Sequence, residues 1–125
     1  MVKPLAPIFI WDRADLMICE DIEAARRYIE PIDVEHGEYT GVDQLGRELM
    51  FKLEPLETGR WREVRQIIIA AEEEVREQCW RSFFQACLRG YVKDEMLPLA
   101  SLSELQSLAI KHWGHFSFGV VNKKG

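Results

Sequence analysis

Long apolar runs are missing from this sequence. The run IIIAA at residues 67–71 falls far short of the roughly 18–20 apolar residues a membrane-crossing helix needs. The opening stretch MVKPLAPIFIWDR holds two prolines, passes straight into charge and lacks a small-residue cleavage site, so it does not read as a secretion signal. Cysteine is scarce as well. Three in 125 residues, an odd count, imply no disulfide framework and suit a reducing, cytoplasmic setting. Basic charge is short in one half of the chain: residues 1–58 hold 6 Lys/Arg against 13 Asp/Glu, whereas residues 59–125 hold 10 against 8. The net charge is −5. An acidic half repels nucleic acid and anionic lipid and steers basic partners inward, so neither nucleic acid nor membrane is expected as a partner.

Catalytic signatures are the next absence. There is no G-x-S-x-G elbow and no P-loop, and GVDQLG lacks both the spacing and the following helix of a dinucleotide fingerprint. His112 and His115 make an H-x-x-H, but Gly114 interrupts the helix between them and no third ligand stands nearby. Cys79 and Cys87 would lie about 80° apart in phase on a 3.6-residue helix, a poor clamp. The segment DVEHGE does not reproduce a calcium loop. Glu35, Glu38 and Asp43 are close in sequence, yet a glycine-rich stretch offers them none of the unlike environments that acid–base pairs require. No catalytic, cofactor-binding or metal-ligating residue is assigned, and the chain does not read as an enzyme.

What is present is a globular composition, 47% hydrophobic and 30% charged, in a length that suits a single domain over residues 1–125. Residues 8–11 and 16–19 are short apolar runs parted by DRAD and read as a strand pair or one interrupted strand. EDIEAARRYIEP reads as a helix with Asp21 as N-cap, a Glu23–Arg27 pair along one face, and Pro31 forbidding continuation. Residues 33–37 then reverse the chain. Leu49, Phe51 and Leu53 alternate with polar neighbours, which predicts a half-buried strand. Its partner is GEYTGVD, with Asp43 opening a turn and Gly46 at the site needing positive φ. Trp61, Arg65 and Ile69 would align on a helix, but the β-branched Ile triplet favours a third strand over about residues 62–70, sheltering this hairpin; residues 72–91 read as a helix opened by three glutamates. Ser101 with Glu104 makes a capping box for a last helix ending near Trp113. The expected fold is α+β: a small, mostly antiparallel sheet with an early helix and two C-terminal helices packed on one face.

The stretch from residue 30 to 47 packs Glu30, Pro31, Ile32, Asp33, Val34, Gly37, Glu38, Tyr39, Asp43, Gly46 and Arg47 into an EPIDV-x-x-GEY-x-x-x-D-x-x-GR run. With the strand and helix before it, this run resembles small bacterial immunity proteins of polymorphic or contact-dependent toxin systems. The resemblance spans about residues 15–53 and implies a stoichiometric binder of a cognate toxin, such as a basic nuclease. The residues expected at the partner surface are Glu20, Asp21, Glu23, Glu35, Glu38, Tyr39 and Asp43. Trp61, in a Gly-Arg-Trp-Arg stretch, joins them as an aromatic anchor. The chain itself is expected to be a monomer or a weak homodimer. A non-catalytic adaptor module or a homodimer joined through the hairpin edge is the alternative, and a carboxylate hydrolase a third.

Overall fold

The computed structural model describes residues 1–13, 15–55 and 65–114. Its centre is a sheet of five antiparallel strands: β1 (Ile8–Asp12), β2 (Asp15–Cys19), β3 (Tyr39–Val42), β4 (Arg47–Pro55) and β5 (Arg65–Val75), in spatial order β2-β1-β3-β4-β5. Among the described residues four α-helices surround it: α1 (Ile22–Tyr28), α2 (Pro31–Glu35), α3 (Glu77–Leu88) and α4 (Leu102–Trp113). The expected α+β architecture is the one observed.

β1 explains why IFIW reads as a continuous apolar run. Its side chains alternate between two cores, with Ile8 and Ile10 on one face and Phe9 and Trp11 on the other. The C-terminal helices α3 and α4 cover the second face, where Phe84 packs 5.2 Å from Phe9 and 5.1 Å from Trp11, ring centre to ring centre. Trp80, Phe84 and Leu88, four residues apart along α3, are the side chains this helix buries. On the first face, α1 contributes Ala24 and Ala25 and α2 contributes Val34 to a core with Leu49, Ile67, Ile69 and Ala71. Arg81, on the flank of α3, donates to the carbonyls of Leu97 (3.0 Å) and Ala100 (2.8 Å) and so fixes the α3–α4 connection.

Local chemistry sets several boundaries. Asp21 accepts the Ala24 N–H at 2.7 Å and starts α1. The reciprocal Ser101–Glu104 capping box is complete. Pro31 does stop the first helix, but it also opens the second: it sits in the first turn of α2, where its missing N–H costs nothing. The reversal expected at residues 33–37 is thus a helical turn followed by Gly37, whose φ is +69°. Glu23 pairs with Arg26 at 3.2 Å, one residue short of the expected Arg27.

The larger correction concerns the third strand and the helix after it. β5 continues to Val75, and α3 begins only at Glu77. Residues 62–64 of the expected strand lie outside the described residues. The glutamates 72–74 favour a helix in isolation, but the β4–β5 ladder brackets them, with Ala71 opposite Leu49 before them and Val75 opposite Arg47 after them. Val2 adds a reciprocal bridge to Ala71 on the outer edge. Pairing that anchors the chain before and after the three glutamates outweighs helix propensities that differ by roughly tenths of a kcal/mol per residue.

Candidate functional site: an acidic notch between two strands

Asp43 and Tyr39, both expected at a partner surface, are interior braces. Asp43 is fully buried. Its Oδ1 accepts the N–H groups of Leu45 and Arg47, each at 3.0 Å. Oδ2 accepts the Leu5 N–H at 3.0 Å and a forked pair from Arg47 Nε (3.0 Å) and Nη2 (2.8 Å). One carboxylate therefore closes the β3–β4 turn and ties down the N-terminal segment. Gly46 completes that turn at φ +83°, and a Cβ there would stand 2.6 Å from Trp80 Cδ1. Tyr39, 8% exposed, accepts the Glu30 N–H at 3.1 Å and donates to Asp33 Oδ2 at 3.4 Å, locking the α1–α2 junction to β3. Burial, with the charges of Asp33 and Asp12 adding to it, raises the Tyr39 pKa.

The remaining expected residues divide between the two ends of the sheet. Glu20, Asp21 and Glu23 follow the end of β2 at Cys19, which lies opposite Ile8. Glu38 precedes Tyr39, which lies opposite Asp12 at the other end of β1. Four strand steps, about 13 Å, separate those ends. Asp21 is committed to its cap, and Glu23 and Glu35 are exposed and paired with Arg26 and Arg65. Glu20 is half-buried. Trp61 lies outside the described residues.

At the Glu38 end the structure gathers carboxylates that sequence reading left apart. Arg13 takes the left-handed conformation at φ +61° in the β1–β2 turn and reaches Glu38 at 3.1 Å. The Asp12 pKa is raised, first by burial and then by Asp33 and Glu38, with Arg13 opposing and Asp15 adding a further push. Asp12 and Asp15 were visible only as turn residues of DRAD. Their alliance with Asp33 and Glu38 depends on β3 pairing beside β1, which no local pattern announces.

Beside this corner the sheet opens. The β3–β4 ladder holds one pair, Val42 opposite Glu48, and at the same level the β4–β5 register shifts between Arg47 and Leu49, leaving residues 72–74 of β5 without partners in that ladder. Leu49 then folds over Gly41, where a Cβ would come within 2.9 Å of the leucine Cδ1 and 2.5 Å of the Phe9 carbonyl oxygen. The result is a cavity of about 230 Å³ lined by Tyr39, Thr40, Glu48, Met50 and Phe51, with Val34 and Gly37 at the α2 side. Thr40 and Met50 are exposed, and the rings of Tyr39 and Phe51 meet at 5.9 Å. Glu48 accepts from Arg76 Nη2 at 3.3 Å and faces the Cys79 thiol at 3.8 Å.

The other candidate groups take structural places. Cys19 is buried in β2, and burial pushes its thiol up to about 12; Cys87 is pushed up to about 11 for the same reason. His112 packs against Tyr91 at 5.1 Å, and His115 lies outside the described residues. Among the described residues no group of three His, Cys, Asp or Glu side chains is placed to hold a metal ion, and no helix is long and apolar enough to cross a membrane. No family model, curated protein or solved structure matches the chain.

Proposed function

We propose that this chain is an immunity protein: it binds a cognate bacterial toxin one-to-one, in the cytoplasm, and blocks it without chemistry of its own. The observation that supports this best is the crowding of Asp33, Glu38 and Asp15 about Asp12, opposed by Arg13, next to Tyr39 of the notch. Carboxylates held this close disfavour one another, and an approaching cationic surface relieves that repulsion. Such a corner raises the association rate for a basic partner and rejects acidic ones. Two buried braces, Tyr39 and Asp43, hold the surface in one shape, which lowers the ordering cost of binding. The resemblance of the EPIDV-x-x-GEY run points to the same class of partner.

The test is co-purification with the product of the neighbouring gene, followed by light scattering and stopped-flow association. A monomer that forms a 1:1 complex supports the reading, whereas a stable homodimer indifferent to that product refutes it. Replacing Asp12, Asp15 and Glu38 by Lys should slow association about ten-fold or more at low ionic strength, an effect that salt erases. Unchanged association at low salt removes the acidic corner from the interface.

A further inference from the structure

The notch is too small for a cofactor and the right size for one side chain. At about 230 Å³ it lies below the roughly 300–1,000 Å³ of sites that hold drug-sized ligands. Its walls are apolar and aromatic along their length, from Tyr39, Leu49, Met50 and Phe51, and carry a carboxylate, Glu48. That pairing of apolar wall and acidic terminus suits a long side chain with an aliphatic stem and a cationic head. We infer that the notch receives an arginine of the partner, its stem lying against Met50 and Phe51 and its guanidinium meeting Glu48. This rests on the immunity reading and names the residue type that would anchor it.

Three observations favour arginine over an aliphatic anchor. A guanidinium already reaches Glu48: Arg76, whose side chain is 58% exposed, approaches it at 3.3 Å. That contact is loose enough to be displaced, since exposed ion pairs contribute about 0–1 kcal/mol. Tyr39 belongs both to the notch and to the acidic corner, where it contacts Asp33 and pairs with Asp12, so a cation entering the notch also enters the field of those carboxylates. Finally, planar guanidinium stacks on aromatic faces, and Tyr39 and Phe51 stand together at the wall.

The experiment titrates ¹⁵N-labelled protein with three capped tripeptides that differ only at the centre: Ala-Arg-Ala, Ala-citrulline-Ala and Ala-norleucine-Ala. The arginine peptide should shift the amides of Gly37, Thr40, Glu48 and Met50 with millimolar affinity. The citrulline and norleucine peptides should shift them at least five-fold less. Equal shifts from all three, or arginine-induced shifts confined to other surfaces, overturn the inference. Glu48→Gln should abolish the arginine preference. Should that variant fail to fold, Thr40→Trp, which fills the notch with Glu48 intact, should abolish the shifts at Gly37 and Met50; their persistence is equally fatal. The two readings separate cleanly. Peptide binding at the notch without binding of the neighbouring gene's product sinks the immunity reading alone. A 1:1 complex that Thr40→Trp leaves equally tight sinks the notch alone.

Discussion

Replacing Asp43 by alanine should be among the costliest single changes in the described part of this protein. The carboxylate is fully buried and accepts five hydrogen bonds, three from main-chain N–H groups and two from Arg47. Leu5 and Leu45 are each 45% exposed, so their freed N–H groups can regain water. Arg47 cannot do so easily, because its side chain is only 13% exposed. Breaking such a pair from one side typically costs about 3–5 kcal/mol. Against a total stability of about 5–15 kcal/mol that is a large fraction, and it lowers the melting temperature by about 10–20 °C. Arg47→Met should cost less, since the carboxylate keeps three main-chain donors. Urea denaturation followed by circular dichroism measures both variants and the double variant. The double should be less destabilised than the sum of the singles by at least about 1 kcal/mol. Additive effects, or a loss below about 1 kcal/mol for Asp43→Ala, would refute the idea that this carboxylate ties the turn together.

Further expectations follow from the same geometry. Asp12→Asn should raise stability at neutral pH, because the folded pKa of Asp12 is raised and its ionised form is therefore disfavoured in the native state. That gain should shrink as pH falls through the raised folded value and vanish below the ordinary 3.8, so parallel melts at pH 7 and pH 3 check the sign. Gly46→Ala should cost about 1–2 kcal/mol from its positive φ alone, and more from the 2.6 Å approach to Trp80. Gly37→Ala, with positive φ but nothing within 4 Å, should cost only the backbone part, and chemical denaturation of the two variants compares them. Phe84→Ala, which empties the ring contacts to Phe9 and Trp11, should lose about 3–5 kcal/mol in the same assay.

Features legible in the sequence were those decided within a few residues. The Asp21 cap, the Ser101–Glu104 box, the turn at residues 43–46 and the alternation of β4 are each local chemistry, and each appears in the fold. The glutamates 72–74 misled because their helix propensity is local, whereas the β4 pairings of Ala71 and Val75 on either side of them, and the Val2 bridge at Ala71, are not. Asp43 was recognisable as a turn residue. Its burial was not, since that requires Leu5 to come in from 38 residues away. Tyr39 looked like an interface aromatic because nothing nearby shows that its hydroxyl is occupied by Glu30 and Asp33. The notch was illegible for a related reason: Gly41 and the register shift after Arg47 make an opening only once β3 and β4 are set side by side.

The single pair between Val42 and Glu48 has a consequence for how the protein opens. On one side of it stand three strands whose central members are sealed between two cores; on the other stands a long two-stranded ribbon. The joint therefore rests on the core that Leu49, Ile67, Ile69 and Ala71 share with Ile8 and Ile10, and the end of the ribbon beyond that core is the part free to open at a lower free energy. Native-state hydrogen exchange should therefore show the amides of Ile8, Phe9 and Ile10 opening only with the whole molecule, while those at the far end of the ribbon, Glu54 and Gln66, exchange through a cheaper, partial opening. A ligand lodged across the gap would fasten one unit to the other, so that protection would spread through the ribbon well beyond the residues it touches.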